Sequence, residues 1–140
     1  MKPEKTATKP LSVFDFNEKS ACEQFVEMPY LNSSGKETGM VVHVIGAQAQ
    51  TVRDMLTKCE NKRKAIMYPP HGKGRDLTNE EQRELNINGH ACRVVGWSGV
   101  EEPYSHELAV KICDNNVSFY TQVVECSENI ALFTQSKPSN

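Results

Sequence analysis

Two short runs in the first third of the chain have the apolar texture of strands. Residues 24–31 carry Phe25, Val26, Met28 and Tyr30, and residues 40–45 carry Val42 and Val44. Between them, Asn32-Ser33-Ser34-Gly35-Lys36-Glu37-Thr38-Gly39 is polar and glycine-bearing, which predicts a β-hairpin with a long loop. Pro29 has no amide hydrogen to donate and places the first strand at an edge. The period then lengthens. Val52, Met55, Leu56, Cys59 and Ile66 recur at helical spacing. Thr51 with Asp54 suits the start of this helix, and cations crowd its last turns, where the negative end of the helix dipole favours them. Tyr68-Pro69-Pro70 stops it, because proline lacks the amide hydrogen and disfavours a helical residue before it.

Residues 69–79 read as a linker or exposed crossing loop. Thr78-Asn79-Glu80-Glu81 has the form of a capping box. Ile87, Ala91, Val94 and Val95 keep helical spacing after it, so a helix is expected over residues 80–95. Asn86, Asn88 and Gly89 are poor helix formers, and residues 90–95 fit a strand as well. Gly96-Trp97-Ser98-Gly99 reads as a turn, with Trp97 anchored in the core and the glycines supplying backbone angles that other residues resist. Ser105 caps a helix carrying Leu108, Ala109 and Ile112, with Glu107 and Lys111 as a pair one turn apart. Asn115-Asn116 suits a left-handed helix end. A last helix starts near Ser118 and sets Phe119, Val123, Cys126 and Ile130 on one face.

The expected fold is α+β, mostly helical with an N-terminal β-hairpin. Residues 1–20 are expected to form a flexible tail, 21–68 the hairpin and its helix, 80–135 the helical half of the same domain, and 136–140 a frayed end. With 140 residues, 38% of them apolar, the chain has material for one packed core. A mean hydropathy of −0.55 and the lack of any apolar stretch of spanning length argue against a membrane helix. The charged first ten residues lack the apolar segment of a secretory signal. A net charge of −2 offers no cationic surplus for phosphate neutralisation, so nucleic acid is not expected as a partner.

Cysteines stand at positions 22, 59, 92, 113 and 126, an odd number without any C-x-x-C. They are expected to be reduced thiols acting as small buried hydrophobes, with neither disulfide nor metal. His71-Gly72-Lys73-Gly74-Arg75 suits an anion in composition, yet it lacks the frame of a phosphate-binding loop and reads as solvated. His90-Ala91-Cys92 lacks the second ligand pair of a structural zinc site and anything to orient a catalytic base. No catalytic residues, metal or cofactor are therefore expected, and the chain does not read as an enzyme. Residues 58–64 put four cations (Lys58, Lys62, Arg63 and Lys64) against one acid, which suits an acidic partner.

The most distinctive stretch is residues 94–109, in which an apolar element ends in Val95-Gly96-Trp97-Ser98-Gly99, an acidic loop follows, and a serine-capped helix begins. It resembles the tail assembly chaperones of long, non-contractile-tailed bacteriophages. The likeness extends over roughly residues 22–133: a β segment first, a charged helix ending in a basic cluster, an acidic helix entering the motif, and an amphipathic helix closing near an aromatic, here Phe133. Leu108 departs from the asparagine more common in that pattern, and Val117-Ser118 from a proline–tryptophan start. The resemblance implies a non-enzymatic chaperone in the host cytoplasm, absent from the mature virion. Its implied partners are the tape measure protein and the tail tube protein, with self-association open. On that reading Lys58, Lys62, Arg63 and Lys64 would meet the client, and Gly96, Trp97, Ser98 and Gly99 would be structural. Two other classes remain: a structural virion component, such as a minor tail or head–tail joining protein, and a small nucleic-acid-binding regulator.

Overall fold

The computed structural model describes residues 10–134, so the expected frayed end at 136–140 and the first nine residues of the expected tail lie outside it. Among the described residues six α-helices pack with one three-stranded antiparallel sheet. The later part of the expected tail has local structure. A 3-10 turn spans Val13–Asp15, and α1 (Glu18–Cys22) follows it. β1 (Val26–Leu31) pairs with β2 (Glu37–Val44), with Val26 opposite Val44 and Met28 opposite Val42. These strands are not a free-standing pair. β3 (Val94–Ser98) joins the other side of β2, in the order β1-β2-β3, and β1 with its Pro29 is an edge.

α2 (Gln50–Met67) occupies the expected place, but its start differs. Ala49 is the cap residue and makes no side-chain cap, so Thr51 and Asp54 do not serve. The amide of Gln50 instead donates to the Glu23 carboxylate at 2.8 Å, an anion placed from another segment at the positive end of the helix. The loop after Tyr68 folds back on α2, where the Arg75 amide donates to Ile66 O at 3.2 Å.

α3 (Asn79–Ala91) opens with the expected capping box between Thr78 and Glu81. It ends four residues short of the expected boundary. Val94 and Val95 belong to β3 rather than to a helix, because pairing with β2 buries Val94 beside Val44. Ser105 caps α4 (His106–Asn115) by accepting from the Leu108 amide at 3.1 Å. The expected Glu107–Lys111 pair is not among the described ion pairs. Asn116 is extended (φ −139°) rather than left-handed, and this single residue joins α4 to α5 (Val117–Glu128). α6 (Ala131–Thr134) closes the described chain.

Two clusters form the interior. The larger joins Met28, Val42 and Val44 of the sheet to Ile87, Ala91, Ala109, Cys113, Phe119 and Val123 of the helices. The smaller gathers Cys22, Ile45, Ala49, Val52, Cys92 and Phe133. Cys22, Cys92 and Cys113 are buried and Cys59 and Cys126 half-buried, all as free thiols. Burial pushes the Cys92 thiol up to about 11 and the Cys113 thiol up to about 12, far from thiolate at neutral pH.

The first turn of α3 carries a pH-sensitive contact. Both terminal nitrogens of Arg75 donate to the Glu81 carboxylate, at 2.8 and 2.9 Å, and the Thr78 amide donates to it as well. The Arg75 hydrogen bonds, then the Thr78 amide, hold the Glu81 carboxyl down at about 2, against an ordinary 4.5. A depressed folded-state pKa means stabilisation present above about 4.5 and lost as pH falls toward 2. In an NMR titration Glu81 should therefore turn near pH 2, and Arg75→Ala should raise that midpoint. A midpoint near 4.5 in the unaltered protein would remove this contact from the solution structure.

Candidate functional site

α2 is exposed to an extent unusual for an eighteen-residue helix. Among the described residues, Val52 is its one fully buried side chain, while Leu56 is 44% exposed and Met55, Cys59, Ile66 and Met67 are half-buried. A groove of about 410 Å³ runs between α2 and α3. Leu56, Cys59, Glu60 and Arg63 form one wall, and Gln82, Leu85, Gly89 and His90 the other. A methyl group at Gly89 would stand 3.4 Å from Leu56 Cδ2, an ordinary van der Waals contact. The Cys59 thiol donates across the groove to Leu85 O at 3.6 Å.

The four cations do not make one basic face. At 3.6 residues per turn, Lys58 and Lys62 are about 40° apart on one flank of α2, while Lys64 lies about 160° from Lys62 on the other flank. Arg63 faces the groove and is engaged: its Nη2 meets Glu60 Oε2 at 2.7 Å, and its Nη1 donates toward Met67 Sδ at 3.2 Å. The hydrogen bond to Arg63 lowers the Glu60 carboxyl below its ordinary range. Lys58, Lys62 and Lys64 are exposed. A phosphate backbone would thus meet cations on two sides rather than one continuous stripe.

His90 and Cys92 point to different neighbours. The His90 ring stacks on Tyr120 at 4.4 Å, and burial followed by the nearby Arg93 charge lowers its pKa, favouring the neutral ring at pH 7. The Cys92 thiol donates to Gly89 O at 3.3 Å. Among the described residues no three His, Cys, Asp or Glu side chains are grouped to hold a metal ion.

Residues 94–109 form one continuous unit, although not the expected turn. Gly96, Trp97 and Ser98 lie within β3, opposite His43, Val42 and Val41. Gly96 makes room for His43: a Cβ there would stand 2.8 Å from its Nδ1. Gly99 has φ +85°, and a Cβ on it would run into Gly39 O, so glycine is required twice over. Trp97 is half-buried rather than enclosed. Its Nε1 donates to Glu102 O at 2.8 Å, and its ring meets Tyr104 edge-on at 5.1 Å. The Tyr104 hydroxyl returns to Val94 O at 2.9 Å, so the acidic loop is clamped onto the strand from both ends.

Beside Trp97 lies a second groove, about 300 Å³, lined by Met40, Val100, Leu108 and Ile112 together with the charged Glu102 and Lys111. A further apolar surface precedes α1. Leu11, Val13, Phe14 and Phe16 are 73%, 75%, 88% and 67% exposed. Trp97, expected as a core anchor, is half-buried beside the groove, and Leu11 to Phe16, expected as part of the tail, are exposed. The density of large apolar side chains in residues 11–16 was the available signal. No protein-family model, no curated protein and no solved structure matches this chain. Among the described residues no helix is long and apolar enough to cross a membrane.

Proposed function

We propose that this chain is a tail assembly chaperone of a long-tailed bacteriophage. It acts without catalysis, holding the tape measure protein soluble in the host cytoplasm until tail tube subunits polymerise around it. The reading starts from the resemblance in residues 94–109. The observation that carries it furthest is the groove between α2 and α3, walled by a helix with a single buried side chain.

A groove in which Leu56, Cys59 and Leu85 stand among polar side chains suits an amphipathic helix, whose apolar stripe would meet the first set and whose polar flanks the second. Leu56 and Cys59 would take that stripe, and Arg63 with Glu60 would border it. Lys58 and Lys62 on one flank, with Lys64 on the other, favour acidic client segments from either side. Exposed cations of this kind raise association rates more than they deepen affinity. A client with apolar stripes aggregates unless they are covered, and several copies of a small binder would cover a long client.

The test is binding of a helical tape measure fragment. Leu56→Glu places a charge in the groove at an exposed position, so the fold should survive while affinity falls by about tenfold or more. Reversing the charges of Lys58, Lys62, Arg63 and Lys64 should slow association and flatten its salt dependence. Unchanged binding by Leu56→Glu would rule out the groove as the client site.

A further inference from the structure

We propose that α1 and α6 form a two-piece lid that opens as one unit while the rest of the domain stays folded, baring the first turns of α2. The interior is already divided along this line. The larger cluster is built from the sheet with α3, α4 and α5, and neither α1 nor α6 adds a buried side chain to it. The smaller cluster holds Ile45, Ala49, Val52 and Cys92, joined by Cys22 of α1 and Phe133 of α6. Cys22 is 0% and Phe133 3% exposed, and among the described residues each is the one buried side chain of its helix.

The two helices lean on each other. The helix that α1 packs against most is α6, and the reverse holds. α1 has five residues and α6 four described ones, too few for a helix to hold by itself. The described hydrogen bonds that tie α1 and its cap Glu23 to the rest land on residues 46–50, the bend between β2 and α2. The Gly46 amide donates to Cys22 O at 2.9 Å, Gln48 Nε2 to Glu18 at 2.9 Å, and the Gln50 amide to Glu23 at 2.8 Å. Both carboxylates are at exposed positions, where water competes for the same bonds. Gly46 is fitted to the closed state, since a Cβ there would run into Cys22 Sγ and Cβ.

Topology lets the lid go without dismantling the rest. The elements from β1 to α5 form one uninterrupted run, which release of α1 and α6 leaves connected. An opening that gives up one small cluster needs less free energy than global unfolding. Beneath the lid, Val52 is the one fully buried side chain of α2, and Met55, Leu56 and Cys59 follow it at helical spacing. The open form therefore presents an apolar stripe on α2 that the closed form covers at its start. This does not depend on the chaperone reading, and no client enters its test.

The free thiols report the opening. The native full chain is pulse-labelled with N-ethylmaleimide, and each cysteine is read by peptide mass spectrometry. Cys22 should label at least about tenfold faster than Cys113 of the large cluster, because its exposure needs only the lid to open. Low urea should change the Cys22 rate little and the Cys113 rate steeply, since the slope follows the surface exposed. Gly46→Ala should raise the Cys22 rate about tenfold or more and leave Cys113 unchanged. Phe133→Ala, a change confined to α6, should raise the Cys22 rate on α1 about threefold or more. In the wild-type chain the hydrogen-bonded amides of Ala21 and Phe133 should exchange hydrogen with one common opening constant. Equal rates and urea slopes for Cys22 and Cys113 contradict the inference, because the lid would then open only with the whole domain. A Cys22 rate indifferent to Phe133→Ala, or different opening constants for the two amides, contradicts the opening as one unit.

Discussion

Phe119→Ala should cost the domain about 3–5 kcal/mol, the usual penalty for emptying a large buried aromatic site. Phe119 is fully enclosed in the first turn of α5, where sheet and helices meet. Its ring takes the edge of Tyr30 at 5.1 Å, and the Tyr30 hydroxyl shares a hydrogen bond with Ser118 at 3.1 Å. Nearby, Gln122 accepts from Leu31 N and donates to Leu31 O, at 3.0 and 2.7 Å, tying the last residue of β1 to α5. Removing the ring therefore loosens the joint between α5 and β1 as well as leaving a cavity. Against a total stability of about 5–15 kcal/mol, the loss is a large fraction. Urea unfolding should show a lower midpoint with a nearly unchanged slope. A cost below about 1 kcal/mol would mean that α5 does not pack as described.

Arg93→Met should cost about 2–4 kcal/mol even though it keeps the bulk of the side chain and removes a charge from the interior. The arginine is 5% exposed. Its Nε donates to Gly89 O at 3.1 Å and its Nη1 to the buried Ser127 hydroxyl at 3.0 Å, while Nη2 lies 3.8 Å from Glu128 Oε2. Its own carbonyl accepts from the Ile45 amide at 2.9 Å. One cation thus bonds a carbonyl at the end of α3 and side chains in the last turn of α5, where helix dipoles are negative. Methionine would leave the buried Ser127 hydroxyl without its donor and Gly89 O with the weaker Cys92 thiol alone, and that loss outweighs the desolvation saved. Ser127→Ala in the same background should then cost less than it does alone, a coupling readable from a double-mutant cycle. Additive losses would show that Arg93 and Ser127 do not share the contact.

Legibility from sequence followed the range of the interactions. The Thr78–Glu81 box and the Ser105 cap close within three residues, and both were readable directly. The start of α2 was misread because its anion, Glu23, comes from 27 residues earlier. Val94 and Val95 have helical spacing relative to Ile87 and Ala91, and their strand partners on β2 lie about fifty residues away. Arg93 followed an amphipathic run and gave no local sign of burial, because its partners on α5 are 34 residues downstream. Trp97 sits between glycines in a motif that suggested a tight turn. The indole instead spans strand and loop, with its nitrogen held by Glu102 O. The basic cluster was readable as charge, but helix geometry divides it between two flanks, and Glu60 engages Arg63.

The proposed activity is tested most directly by producing the tape measure protein with and without this chain in the same cells and measuring its soluble fraction. The proposal expects the client to move from the pellet to the supernatant and to co-elute with several copies of this chain on sizing chromatography. The Leu56→Glu variant should fail to rescue it at equal expression. A client equally insoluble in both cases, with no complex on the column, would contradict the chaperone function and favour a structural role in the virion.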